Sequence, residues 1–147
     1  MNVDVETSTI IDKPRGKVAK FAANPANAPL WYANIESVDW KTSHRVAVGS
    51  KFTFVARFLG KQIEYTYEIV EYEPLELLVM RTHEGPFPME TTYTWEAVSP
   101  KSTRMTLRNR GSPGGFAKFA GPMVKRAIRK ATQNDLEVLK ELLESSK

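Results

Sequence analysis

Cysteine is absent from this 147-residue sequence, which excludes disulfides, thiolate metal sites and a cysteine nucleophile. Histidine is almost absent as well. His44 and His83 are the two in the chain, so a three-histidine metal centre cannot be built and no metal site is predicted. The sequence also lacks the G-x-x-x-x-G-K-[ST] and G-x-G-x-x-G motifs of nucleotide and dinucleotide sites. We therefore predict a protein with no cofactor.

Long hydrophobic runs are also missing, and no segment is apolar over the length that a bilayer requires. The first six residues lack the basic and then apolar pattern of a secretory signal. Hydrophobic residues make up 41% and charged residues 26% of the chain, as in an ordinary folded domain. The expectation is one domain over residues 1–147, located in the cytoplasm.

Acidic residues are missing between Glu96 and Asp135, a stretch that holds nine lysines and arginines. The net charge of +4 is too small to indicate a nucleic-acid partner, and none is predicted. Two interpretations of the basic stretch stay open. Carboxylates on neighbouring strands neutralise it, or its positive field brings the protein into weak contact with an anionic membrane surface.

Hydrophobic periodicity divides the chain into strands and helices. Alternation over residues 3–11, 35–40 and, in successive segments, 51–110 predicts seven strands of an antiparallel sheet with one buried face. Two short helices are predicted between the first two strands, after Pro14 and over residues 26–32. From Phe116 apolar residues recur at three- and four-residue steps, which predicts a long C-terminal helix with a kink or restart at Gly121-Pro122.

This order of elements resembles the START-like helix-grip superfamily (SRPBCC), which includes the polyketide cyclase/dehydrase and lipid-transport family. Shorter similarities are the segment from Asn24-Pro25 to Trp31-Tyr32, the Tyr72-Glu73-Pro74 turn, and Tyr93-x-Trp95 followed by Thr103. The resemblance implies an α+β helix-grip fold. In that fold a curved antiparallel sheet of about seven strands wraps around the C-terminal helix, and a ligand cavity lies between them.

Aromatic residues dominate the predicted buried faces, and three of them are tyrosines, Tyr65, Tyr67 and Tyr93. A buried tyrosine hydroxyl needs a hydrogen-bond partner, which a partly wet cavity supplies and a solid core does not. With the resemblance, this favours binding of a small, largely hydrophobic molecule, lipid- or polyketide-like. The predicted ligand-binding residues are Trp31, Tyr32, Phe54, Phe58, Tyr65, Tyr67, Tyr93, Trp95, Met105, Phe116, Phe119 and Met123.

Two other functions stay open. A cyclase- or dehydratase-like enzyme needs ionisable groups in the cavity, and the candidates are His83, Arg81 and Glu90, although Glu90 faces outward by alternation. A protein-interaction module of the chaperone-activator type needs an exposed apolar patch, for which Phe87 and Trp40 are the candidates. The sequence does not predict the oligomeric state.

Overall fold

The computed structural model describes residues 3–58, 60–84, 88–111 and 115–146, except the side chains of residues 58, 83, 84, 115–122 and 124. The helices are α1 (Arg15–Ala23), α2 (Ala28–Trp31) and α3 (Gly115–Glu144), and a 3-10 turn covers Pro25–Asn27. The strands are β1 (Val3–Ile11), β2 (Ile35–Trp40), β3 (Lys51–Phe58), β4 (Lys61–Glu73), β5 (Leu77–Glu84), β6 (Met89–Ser99) and β7 (Ser102–Gly111). The predicted α+β class and order of elements are confirmed.

The strands form one antiparallel sheet in the order β1-β7-β6-β5-β4-β3-β2. From β2 onward each strand pairs with the next in sequence, because short turns connect antiparallel neighbours. The β3–β4 turn contains Gly60 at φ 81°, a left-handed conformation that glycine adopts without steric cost. β1 pairs with β7, which places the first strand of the chain next to the last strand before α3.

Helix α3 covers the buried face of the sheet through one stripe of leucines. Leu136, Leu139 and Leu143 are at most 4% exposed and belong to the same core cluster as Met105 and Leu107 of β7. Their three- and four-residue spacing places them on one side of the helix. The helix continues without interruption through residues 121 and 122, so the predicted restart there is wrong. A proline removes one backbone hydrogen bond, and the turns that follow keep theirs.

The segment between β1 and β2 brings aromatic side chains against the sheet. The predicted helix over residues 26–32 is instead a 3-10 turn followed by α2. The Asn24 side chain accepts a hydrogen bond from the Ala26 backbone N–H at 3.0 Å and so caps that turn. Trp31, at the end of α2, is 1% exposed and its ring lies 5.8 Å from that of Tyr93. This packing fixes where the chain enters β2.

Candidate ligand-binding cavity

A cavity of about 130 Å³ lies between the core face of the sheet and the residues that connect α2 to β2. Six strands, β2 to β7, contribute to its wall. Arg57, at one edge, has a side chain 58% exposed, so the cavity meets solvent on that side. The described residues that line it are Tyr32, Asn34, Ile35, Phe54, Ala56, Arg57, Ile63, Tyr65, Tyr67, Met80, Thr91 and Asn109.

Three aromatic rings on β3 and β4 form much of the apolar wall. The rings of Phe54 and Tyr67 lie 5.7 Å apart, and those of Tyr65 and Tyr67 lie 6.1 Å apart, within the usual range for interacting aromatic pairs. Phe54 and Tyr65 occupy opposite positions in the β3–β4 register. Because side chains alternate along a strand, this register places all three rings on the cavity side of the sheet.

A line of hydrogen bonds crosses the other end of the wall. Thr91 on β6 and Asn109 on β7 are directly paired in the register, and the Thr91 hydroxyl donates to Asn109 Oδ1 at 2.7 Å. Tyr67 Oη lies 3.5 Å from Thr91 Oγ1. Thr91 and Asn109 are 3% and 8% exposed, so these polar groups are set into an otherwise apolar environment.

A second polar contact joins the cavity wall to the core. The hydroxyls of Tyr32, which lines the cavity, and Tyr93, which lies behind it, are hydrogen-bonded to each other. Burial raises the pKa of Tyr32 and also the pKa of Tyr93, because a buried phenolate loses its hydration. Both hydroxyls are therefore protonated at neutral pH.

Asp135 on α3 is a buried carboxyl that supports this wall. It is 2% exposed, and its Oδ1 accepts a hydrogen bond from the Ala33 backbone N–H at 3.0 Å. Burial raises its pKa to about 6. Since Ala33 directly follows Tyr32, the bond anchors the connection between α2 and β2 to the long helix. Sequence reasoning missed this role, although Asp135 lies next to Leu136 and in phase with Ile128 and Leu139 of the buried stripe.

Two of the three predicted acid–base candidates, Arg81 and Glu90, are not among the described residues that line the cavity. Arg81 Nε lies 2.7 Å from Glu90 Oε2, and Arg110 Nη2 binds the other oxygen of the same carboxylate. Hydrogen bonds from Arg110 and then Arg81 lower the pKa of Glu90. The side chains of Arg81, Glu90 and Arg110 therefore form an ion-pair cluster at the sheet surface. The side chain of His83, the third candidate, lies outside the described part of the chain.

The predicted ligand-binding residues fall into four groups. Tyr32, Phe54, Tyr65 and Tyr67 line the cavity. Trp31, Tyr93, Trp95 and Met105 lie in the core cluster without lining it. The side chains of Phe58, Phe116 and Phe119 lie outside the described residues. Met123 is 71% exposed. The lining residues that were not predicted are Asn34, Ile35, Ala56, Arg57, Ile63, Met80, Thr91 and Asn109.

Met123 requires a correction, because the structure places it on the solvent side of α3. Ile128, five residues later, is 8% exposed. Five residues at about 100° each bring a side chain to nearly the opposite side of a helix. The prediction that apolar residues from Phe116 onward form one stripe placed Met123 on the same side of α3 as Ile128. The angle between the two positions around the helix axis does not permit this.

The basic stretch splits into two parts. On β7 the arginines are paired with carboxylates of neighbouring strands: Arg104 with Glu96 at 3.1 Å, and Arg108 with Asp4 at 2.7 Å. On α3, the side chains of Lys125, Arg126, Arg129 and Lys130 are all exposed. Within the part of the chain that the structure describes, none of these four makes an ion pair. We call them the α3 basic face.

Trp40, a candidate for a protein-binding patch, is half-buried and stacks on His44 with ring centroids 5.4 Å apart. Phe87, the other candidate, lies outside the described residues. In the described ranges there is no group of three or more histidine, aspartate or glutamate side chains placed to hold a metal. No described helix combines the length and apolarity needed to cross a membrane.

Comparison with protein families and solved structures identifies what this fold is similar to. An aromatase/cyclase from Streptomyces sp. R1128 superposes with a TM-score of 0.82 at 14% identity, over 98% of this chain and 94% of that one. A protein from Thermus thermophilus gives 0.82 at 20% identity, over 97% and 99%. Ginseng major latex-like protein 151 from Panax ginseng gives 0.72 at 15% identity, over 98% and 96%.

At these identities the structural matches establish the fold, and the family is established by sequence. A comparison with curated proteins finds no match. The model of the family described as polyketide cyclase / dehydrase and lipid transport matches residues 2–144, nearly the whole chain. The resemblance seen in the order of elements is thereby confirmed: this chain belongs to the polyketide cyclase/dehydrase and lipid-transport family and has its helix-grip fold.

Proposed function

We propose that the protein binds a small, largely apolar molecule in the cavity between the core face of the sheet and the residues that connect α2 to β2. The sequence predicted a cavity against the C-terminal helix, but the described lining contains no residue of α3. The observation that carries the proposal is the lining itself. Aromatic and aliphatic side chains form most of the wall, and a few polar groups, Thr91 and Asn109 among them, are grouped at one end. Ligand sites in proteins have this composition, with polar groups fixing the orientation of an apolar body.

The size of the cavity suits a ligand portion of about one ring, with any substituent lying toward the open edge. A protein cavity of about 150 Å³ holds benzene, and the cavity here measures about 130 Å³. The exposed edge at Arg57 leaves room for a longer ligand to extend into solvent. The family, described as polyketide cyclase / dehydrase and lipid transport, and the similar aromatase/cyclase structure support a lipid- or polyketide-like ligand.

Titration with α-methylstyrene, a nine-carbon apolar probe, tests the proposal. We expect saturable binding, with amide chemical-shift changes in two-dimensional NMR confined to residues around the cavity. Ala56→Phe is expected to weaken binding by about tenfold or more, because the new ring takes the space in which the probe buries its carbon atoms. Ala56 is 7% exposed and lines the cavity.

Val55→Phe is the matched control, because Val55 is the neighbouring residue on β3 and side chains alternate between the two faces. This variant is expected to bind the probe within about twofold of the wild type. Native mass spectrometry of protein purified from its own host then identifies the bound molecule. If the wild-type chain shows no saturable binding, or both variants bind equally well, the proposal is wrong.

Two candidate residues of the enzyme alternative, Arg81 and Glu90, are not part of the described cavity lining, and the side chain of the third, His83, lies outside the described residues. The Arg81–Glu90–Arg110 cluster lies outside the cavity lining, and an acid–base catalyst must reach the proton that it transfers. The hydroxyls of Tyr32 and Tyr67 remain as polar groups in the cavity wall. The ligand-binding function requires no reaction and is the one that the described residues support.

The α3 basic face supports a second proposal, contact with an anionic membrane surface. Its four cations make no ion pair in the described structure, although Lys125 is close enough to Asp4 to help lower the pKa of that carboxyl. Exposed Met123 lies near them on the same helix. Each lysine or arginine close to an anionic bilayer contributes about 1 kcal/mol of attraction. An apolar side chain among the cations favours a bilayer over a purely polar polyanion.

Vesicle co-sedimentation measures this contact. The wild type is expected to bind vesicles containing phosphatidylserine at low salt, and to lose most of that binding at about 0.5 M salt because screening shortens the electrostatic range. The double variant Lys125→Glu/Arg129→Glu is expected to abolish it. Lys61→Glu/Lys101→Glu changes the net charge equally at exposed positions elsewhere and is expected to retain binding. Equal loss in both double variants would refute a localised contact.

A further inference from the structure

Asn109 is the most deeply set amide group of the cavity wall. It is 8% exposed, lies on β7 opposite Thr91 of β6, and lines the cavity. Its Oδ1 accepts the Thr91 hydroxyl hydrogen at 2.7 Å. The Asn109 amide oxygen therefore has a hydrogen-bond partner, and the same side chain also carries two N–H donors.

The Asn109 amide nitrogen has no partner among the described residues. It is also not enclosed, because the fully buried and unpartnered side-chain atoms of the described structure are the indole nitrogens of Trp31 and Trp95. A nitrogen that is neither bonded nor enclosed, on a residue more than nine-tenths buried, borders open space. The cavity that Asn109 lines is that space.

The hydrogen-bond direction at this end of the cavity is set by the asparagine. Thr91 uses its hydroxyl hydrogen on Asn109 Oδ1 and offers a lone pair to the Tyr67 hydroxyl at 3.5 Å. The hydroxyl hydrogens of Tyr67 and Thr91 thus point toward the Asn109 amide oxygen. The N–H groups of the Asn109 amide are left to face the cavity. A buried donor without a partner is unfavourable, so a bound acceptor atom is favoured over a hydrocarbon surface at this point.

We propose that the ligand carries a hydrogen-bond-accepting oxygen of the carbonyl type, and that Asn109 Nδ2 binds it. The apolar body of the ligand then lies along Phe54, Tyr65 and Tyr67. This inference rests on the proposed ligand-binding function and narrows it to one class, apolar molecules with a ketone, aldehyde, ester or amide oxygen. Asn109 is the residue that selects this class.

Two nearly isosteric probes test the inference, acetophenone and α-methylstyrene, which differ by an oxygen in place of a methylene group. In wild-type protein acetophenone is expected to bind at least as tightly as α-methylstyrene, although the acetophenone oxygen loses its hydration on binding. In Asn109→Leu the affinity for acetophenone is expected to fall by about tenfold relative to that for α-methylstyrene. Gln62→Leu, which alters an exposed side chain of β4 outside the cavity lining, is expected to leave the ratio of the two affinities unchanged.

A second readout does not depend on the folding of a variant. In wild-type protein the side-chain NH₂ signals of Asn109 are expected to shift on saturation with acetophenone and to shift much less with α-methylstyrene. Equal shifts for the two probes, or an affinity ratio that Asn109→Leu leaves unchanged, would overturn the inference while the proposed function stands. Failure of both probes to bind wild-type protein would overturn the proposed function as well.

Discussion

Replacement of Leu139 by Ala is expected to lower the free energy of unfolding by about 2–5 kcal/mol, the usual cost of removing a buried leucine side chain. Leu139 is 0% exposed and belongs to the core cluster that joins α3 to the sheet. The loss combines the transfer free energy of the deleted atoms with the cavity they leave. For a domain of this size it corresponds to a fall in Tm of roughly 5–15 °C.

The same substitution three residues later is the control. Leu142 is on the same helix but 39% exposed, so Leu142→Ala is expected to cost less than about 1 kcal/mol. Denaturant unfolding followed by circular dichroism measures both variants. Equal losses would mean that burial against the sheet does not hold α3 in place. The comparison therefore tests the helix–sheet contact on which the cavity depends.

Asp135→Asn is expected to change how stability depends on pH. Burial raises the pKa of Asp135 in the folded protein to about 6, from the ordinary value of 3.8 for an exposed aspartate. A raised acid pKa means that the folded state holds the proton more tightly, so this residue's contribution to stability is fully present below about pH 4. It is lost as pH rises through about 6. At about 1.4 kcal/mol for each pH unit between the two values, the loss amounts to about 2–3 kcal/mol.

Asparagine keeps the oxygen that accepts the Ala33 N–H and cannot ionise. The free energy of unfolding of Asp135→Asn, relative to wild type, is therefore expected to rise by about 2–3 kcal/mol between pH 4 and pH 7.5. The other carboxylates titrate in both proteins and cancel in this difference. The control is Glu137→Gln, an exposed acid on the same helix, expected to shift by less than about 0.5 kcal/mol. A pH-independent difference for Asp135→Asn would contradict the prediction.

Periodicity in the sequence was sufficient for the order of strands and helices and for part of the site, and the resemblance of that order to a known family implied the helix-grip fold. Alternation placed Phe54, Tyr65 and Tyr67 on the buried face, and the structure lines the cavity with all three. Thr91 and Asn109 are in phase with Tyr93 and Leu107 on the buried faces of β6 and β7. They were not predicted as ligand-binding residues because that prediction relied on aromatic and apolar side chains. The sequence feature that could have identified them is a polar residue in phase with the apolar residues of a buried strand face.

Local spacing in the sequence was enough to assign the strands and helices and the buried faces of the strands. Which groups contact each other depended on how these elements pack. Thr91 and Asn109 are 18 residues apart in sequence, and Ala33 and Asp135 are 102 apart. Such contacts depend on strand register and on the rotation of α3 about its axis. That rotation exposes Met123 and buries Asp135, and the packing of the whole helix against the sheet determines it.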